Sequence, residues 1–328
     1  MPWYDLPLER LREYRTSTQE PDGLDDWWAA RLREARDQAR PVTVTAHEPG
    51  LYAPLEVSDV EFSGGAGERV RAWYITPAGR AAGAVVVKFI GYGGGRGVPA
   101  EHLLLPALGY PVLVMDSRGQ GGRWSSGATA DGAGSGPENS LVMTRGITTP
   151  EDYYYTRLFT DAVLAVDAAL ELAAADEGGG TPPRIAVTGG SQGGALALAA
   201  AALRPDVVEV CHADVPFLCD IQRAITLAPS PPYTEVPEFL AENIELVEPA
   251  LNTLRYVDCA LLARRITAAT LMSAGLMDDI CPPSTVFAAY NEITAEKEIA
   301  VFPYSGHSRP VAHTERPLAH LRDRLPTG

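Results

Sequence analysis

The chain has 328 residues, 46% hydrophobic and 21% charged, the composition of an ordinary globular protein with a large core. Its formal charge of -15 at pH 7 argues against nucleic acid and anionic membrane surfaces as partners, since both require clustered Lys and Arg. The acidity itself is read as serving solubility. The four cysteines, Cys211, Cys219, Cys259 and Cys281, form no C-x-x-C pair and no cluster with histidines. Neither a zinc site nor a redox motif is signalled, and no metal or cofactor is expected. The N-terminal MPWYDLPLERLREYR lacks the apolar stretch of a signal peptide. No run approaches the ~18 apolar residues of a membrane helix, so the cytoplasm is the expected compartment.

In chain order, residues 1 to about 40 are charged and helix-prone. DDWWAARLREARDQAR sets Trp27, Trp28, Leu32 and Ala35 at spacings of three and four, predicting an amphipathic helix docked on a body and stopped by Pro41. PVTVTAHEP, LEVSDVEFSG and VRAWYITPAG alternate and are separated by turn residues, predicting an antiparallel meander. From Ala84 the pattern changes to short β-branched runs ending in Gly or Asp: AVVVKFIG, YPVLVMD, RIAVTGG, TAATLMSAG and EIAVFPYSG. Such runs read as strands buried on both faces of a parallel sheet. Between them YYYTRLFTDAVLAVDAALELAAA and ALALAAAALRP read as helices, so the fold class is α/β, with a mostly parallel, doubly wound sheet. The polar SSGATADGAGSGPENS reads as a long loop. The proline-rich block at about 216–262 reads as an insertion over the C-terminal edge of the sheet, a cap or an oligomer contact. The length suits a single α/β domain over 1–328 carrying these additions.

Gly189-Gly190-Ser191-Gln192-Gly193 fits G-x-S-x-G between a predicted strand and a predicted helix. That is the context of a nucleophile elbow, in which the flanking glycines make room for neighbouring backbone and Ser191 projects above the sheet. The competing reading is a glycine-rich turn with a capping serine that binds phosphate. A serine nucleophile needs a base, and the base an orienting carboxylate. In α/β hydrolases these follow in the order Ser, Asp, His, each on a loop after a later strand. Asp278 and Asp279 follow one predicted strand and spacing does not choose between them; His307 follows the next. His313 and His320 fall in a terminal helical region where exposure is expected. Oxyanion donors are expected from the backbone amides of Gln192, after the serine, and Tyr92, in FIGYGGGRG. That loop lacks the endings of a P-loop or dinucleotide fingerprint.

FIGYGGGRG, MDSRGQGG, MTRGI, YYYTRLFTDAVLAVDAA, GGSQGG, DVPFLC and GLMDDICPPSTVFAAYNEI closely resemble the acetyl xylan esterase and cephalosporin C deacetylase family, carbohydrate esterase family seven. The match runs from LPLERLREYR to YSGH. The resemblance implies an α/β-hydrolase fold and a serine esterase that removes acetyl groups from small esters such as acetylated xylo-oligosaccharides and cephalosporin C. It implies Asp278 as the acid, Ser191 as nucleophile, His307 as base, and the Tyr92 and Gln192 amides as oxyanion donors. Tyr92, Phe217, Pro232 and Ile280 match positions walling the family's acyl pocket, where a tight apolar wall admits a methyl group and excludes longer chains. It also implies a hexamer whose sites face a shared interior. One stretch departs: the family's His-Glu followed by glycines is here His307-Ser308-Arg309-Pro310. The alternatives are another hydrolase on this scaffold, a longer-chain esterase or a peptidase, and a non-catalytic hydrolase-like binding scaffold.

Overall fold

The computed structural model describes residues 3–48, 50–79, 83–132, 142–177, 183–325 and 327. From position 133 to 140 the expected polar loop lies outside the described residues. Helices α1 (Leu8–Leu11) and α2 (Leu24–Asp37) precede the strands β1 (Thr43–Ala46), β2 (Leu55–Ser63) and β3 (Arg69–Pro77). These three form the antiparallel meander, and β3 continues antiparallel onto the main sheet. Then come β4 (Ala84–Phe89), α3 (Leu104–Ala107), β5 (Val112–Met115), α4 (Tyr154–Glu177), β6 (Arg184–Gly190), α5 (Gln192–Leu203) and β7 (Val208–Asp214). Four short helices follow, α6 (Ile221–Leu227), α7 (Glu235–Glu242), α8 (Val247–Leu254) and α9 (Cys259–Leu262). The chain closes with β8 (Ala269–Gly275), α10 (Pro283–Glu292), β9 (Lys297–Phe302) and α11 (Glu315–Arg324).

Among the described residues nine strands lie in the order β1-β2-β3-β5-β4-β6-β7-β8-β9, parallel from β5 to β9. From β4 the chain moves outward to β5 and then returns to the other side as β6. The gap beyond the carboxyl ends of β4 and β6 is therefore a topological switch point, where open α/β sheets build their sites. Alternate side chains feed two layers. Val85, Val87, Phe89 and Val187 join the core under α4 and α5, while Val86, Ala186 and Val210 pack with Leu321 and Leu325 of the C-terminal segment. The alanine-rich α5 is buried from Gln192 to Ala202 all round its circumference, as a helix with no polar stripe must be. Its small side chains let it sit against β6, β7 and α4 together.

Two features differ from the sequence reading. Val208–Asp214 is a full interior strand, although Glu209, His212 and Asp214 interrupt its apolar pattern. His313 and His320 are buried, each only 6% exposed, because the C-terminal segment folds back over this face and α11 packs on β7. His212 Nε2 lies 3.0 Å from His320 Nδ1. Among the described residues no helix is long and apolar enough to cross a membrane.

Burial, followed by the neighbouring His320, Arg324 and His313, drives His212 from its ordinary 6.5 to about 3. The unfolded chain takes up this proton below pH 6.5 while the fold resists it until about 3, so stability present above pH 6.5 is lost as the pH falls through that window. His212→Gln is expected to flatten the dependence of Tm on pH over that range; an unchanged slope contradicts the assignment.

Candidate active site

The turn between β6 and α5 is dictated by crowding. A Cβ on Gly189 would lie 2.4 Å from the Gly193 carbonyl, and one on Gly193 would lie 2.5 Å from the Phe89 carbonyl oxygen at the end of β4. With both positions reduced to glycine, the backbone reverses through Ser191 at φ 56°, ψ -121°, a conformation a residue with a side chain rarely takes. Three hydrogen bonds fix it. Ser191 N–H donates to Asp214 O (2.9 Å), and Ser191 O accepts from Ala195 N–H (3.0 Å) and Phe217 N–H (3.0 Å). The candidate nucleophile is thus held by main chain on both sides, with the buried Cys281 thiol beside its hydroxyl. Burial pushes that thiol's pKa well up, so Cys281 stays protonated.

The loops after β8 and β9 are tied together by Leu276 N–H to Phe302 O and Met277 N–H to Ser305 O, both 3.0 Å. Across them Asp278 Oδ2 sits 2.9 Å from His307 Nδ1. Asp278 is 1% exposed, and its other oxygen accepts the Ile280 and Cys281 amides, each at 2.9 Å. A carboxylate partner makes Nδ1 the donor, which leaves Nε2 as the acceptor of a neutral ring that lines the cavity. Asp279 turns away to accept from Ser230 Oγ (3.3 Å). The N-terminal segment straps this corner, since Tyr4 Oη donates to the Asp278 carbonyl (2.5 Å).

The candidate oxyanion donors are held by two glutamine side chains, those of Gln120 and Gln192, to which sequence reading gives no role. The Gln192 amide is the first N–H of α5 and has no intrahelical acceptor. The Gln192 side chain, fully buried, donates from Nε2 to Ile90 O (3.2 Å) and accepts on Oε1 from Gln120 Nε2 (2.8 Å) and Tyr155 Oη (3.1 Å). Gln120 in turn accepts the Gly93 N–H at 2.7 Å. The residues on either side of Gly91-Tyr92 are therefore cross-linked to the residue after Ser191. Gln120 is itself anchored because Arg118, two residues earlier and fully buried, grips Asp161 through Nε (2.6 Å) and a terminal nitrogen (2.7 Å). The Tyr92 side chain points the other way and donates to Glu235 Oε1 (2.7 Å). Burial, and next Glu235, raise the Tyr92 phenol's pKa and keep it a neutral donor.

Ser191, His307, Tyr92, Pro232 and Ile280 line one cavity of about 660 Å³, joined by Trp124 at its rim. Phe217, expected in the wall, is not among its lining residues. It is fully buried behind the wall, edge-on to Tyr92 and 4.3 Å from the Tyr233 ring centroid, because its amide is pinned to Ser191 O. Gln120, Glu235 and Cys281 carry no local signal of these roles; only the RGQG motif around Gln120 marks that position at all.

A doubly wound sheet with a glycine-flanked serine at its switch point and a coupled Asp-His pair on the next two loops defines an α/β hydrolase. Residues 1–324 match the model of the acetyl xylan esterase family, and the chain belongs to it: carboxylic ester hydrolases on the α/β-hydrolase fold. Its structure is similar to an acetyl xylan esterase from Paenibacillus sp. R4 (33% identical, 98% of this chain and 100% of that one, TM-score 0.86). It is also similar to acetyl xylan esterase 1 from Thermoanaerobacterium sp. JW/SL YS485 (30% identical, 98% and 99% covered, TM-score 0.83). A curated relative, the acetyl esterase Axe7A of Xylanibacter ruminicola, is 26% identical over 302 residues, which span 91% of this chain and 65% of the relative's length.

If the glutamine pair holds the two amides in register, Gln120→Leu will lower kcat on an acetyl ester by roughly tenfold to a hundredfold, part of the ~10²–10³ carried by one oxyanion donor, with little change in KM. A raised KM at constant kcat contradicts this placement.

Proposed function

We propose that the protein is a serine esterase that removes acetyl groups from small acetyl esters, acetylated xylo-oligosaccharides and cephalosporin C among them. The observation that carries this reading is the 2.9 Å bond between His307 Nδ1 and Asp278 Oδ2, beside a cavity that also holds the left-handed Ser191. His307 Nε2 takes the Ser191 proton as Oγ attacks the acetyl carbonyl. The oxyanion draws the amides of Tyr92, on the loop after β4, and of Gln192, the first residue of α5, whose N–H has no acceptor within its own helix. His307 then returns the proton to the departing alcohol. Water, deprotonated by the same imidazole, releases acetate and restores Ser191. Asp278 accepts three hydrogen bonds, one of them from the imidazole, which it orients and whose charge it balances.

Tyr92, Pro232 and Ile280 are the residues that limit the acyl chain in this reading, since they share the cavity wall with Ser191. The hexamer rests on the family resemblance alone, and light scattering on the purified protein tests it. A cytoplasmic location is supported by the four cysteines being free thiols.

Initial rates on p-nitrophenyl acetate, butyrate and octanoate, with Ser191→Ala as control, test the reading. Rates are expected to fall steeply with chain length, each added methylene costing about 1–3 kcal/mol once it no longer fits, and to vanish in the variant. Equal rates on octanoate contradict the small acyl pocket, and Ser191-independent turnover contradicts the nucleophile.

A further inference from the structure

Below the elbow, the sheet face that packs under α11 turns polar. Val86, Ala186 and Val210 form an apolar row across three parallel strands, and the next row of that face, also in register, is Lys88, Thr188 and His212. A second cavity of about 210 Å³ opens on this row beneath Leu318 and Leu321. It adjoins the candidate active-site cavity, the two sharing Lys88, Glu101, His102, Thr188, Asp214 and Arg309.

Lys88 is the unexplained group here. Its Nζ lies 3.0 Å from His102 Nδ1, while His102 Nε2 lies 2.8 Å from the Arg96 carbonyl. A carbonyl only accepts, so Nε2 carries the ring proton and Nδ1 accepts from the ammonium. Burial, and next Lys88 itself, hold His102 down at about 4, so it orients the ammonium without neutralising it. Among the described residues no carboxylate lies within ion-pair distance of Lys88. The carboxylates nearby are engaged: Asp214 takes Arg309 Nε (2.8 Å) and Ser273 Oγ (2.8 Å), and Glu101 takes the Val98 amide (3.0 Å). Burial, and then Arg309, push the Lys88 ammonium below its ordinary pKa, as expected for two cations set near each other in a half-closed space. The charged residues lining the active-site cavity are Lys88, Arg123 and Arg309 against Glu101 and Asp214, a positive excess in a chain of net charge -15.

An ammonium withdrawn from water with no carboxylate within ion-pair distance, helped only at longer range by Glu101, is costly, and a carboxylate that enters gains charge-assisted hydrogen bonds while relieving that cost. Lys88 and Arg309 line the cavity that also holds Ser191 and His307, and Arg309 stands two positions after His307, the residue proposed to protonate the leaving oxygen, which favours the alcohol side of the scissile bond for the subsite. We propose that Lys88 and Arg309 form a carboxylate-binding subsite for the alcohol half of the substrate, favouring acetyl esters whose alcohol carries an anionic group. This rests on the esterase reading for its substrate and on the cavity's own charges for its preference.

Binding to Ser191→Ala, measured by calorimetry, tests it independently of turnover. The probes are 3- and 4-acetoxybenzoate against their uncharged methyl esters. One of the carboxylates is expected to bind about tenfold more tightly than its methyl ester. The preference should fall to about twofold or less with Lys88→Met added, shrink with Arg309→Gln, and survive Lys88→Arg. Equal affinity for charged and methylated probes in every case, or a preference indifferent to Lys88→Met, overturns the subsite. The ratio of kcat/KM for the two probes in the Ser191 protein separates the readings. A Lys88-dependent preference without turnover overturns the esterase and leaves the subsite standing, whereas turnover with no preference does the reverse.

Discussion

The approach of α5 to the end of β4 is the contact on which the rest of the site depends. Gly193 comes so near Phe89 O that no side chain fits, and Gly189 is pressed against Gly193 in the same way. That closeness forces the reversal at Ser191 into a left-handed backbone and delivers the first free N–H of a buried helix to the switch point of the sheet. It also slides the Gln192 side chain beneath the loop after β4, where its Nε2 meets Ile90 O. One steric constraint therefore sets the strained serine, the helix amide and the neighbouring loop together.

Polar groups inside the fold then hold what the backbone arranges. Gln120, Gln192, Tyr154 and Tyr155 form a closed set with few free valences, the condition under which a buried network rigidifies rather than destabilises. Arg118 anchors this set from below through Asp161, Glu68 and Asp131. The Asp278 corner is organised differently, by main-chain amides of its own loop and by a tyrosine from the far N-terminus. The two halves of the site can thus be perturbed separately, one through the glutamines and the other through the β8 and β9 loops.

Much of this is legible in the sequence, for physical reasons that vary by residue. The parallel strands announce themselves because burial on both faces demands runs such as AVVVKF, and α5 because only small apolar residues fit between a sheet and a second helix. Glycines around Ser191 are legible because backbone contact leaves no alternative. β7 is not, since Glu209 and His212 serve the strand's exposed and polar layers and break the run. The burial of His313 and His320 depends on where the terminal segment docks, which no local pattern records. The same holds for Asp278 over Asp279, which turns on a contact 29 residues away, and for Glu235, which meets Tyr92 across 143. The family resemblance places Phe217 in the acyl-pocket wall, but it does not line the cavity: its amide donates to Ser191 O and its ring packs against Tyr233.

The most direct measurement is to mix the protein with an acetyl ester, quench within milliseconds in acid, and map the acylated peptide by mass spectrometry. A single acetyl group on the peptide containing Ser191, absent in Ser191→Ala and strongly reduced in His307→Ala, is the predicted result. Turnover with no acetylated peptide, or acetyl carried on another residue, contradicts Ser191 as the nucleophile at the centre of this site.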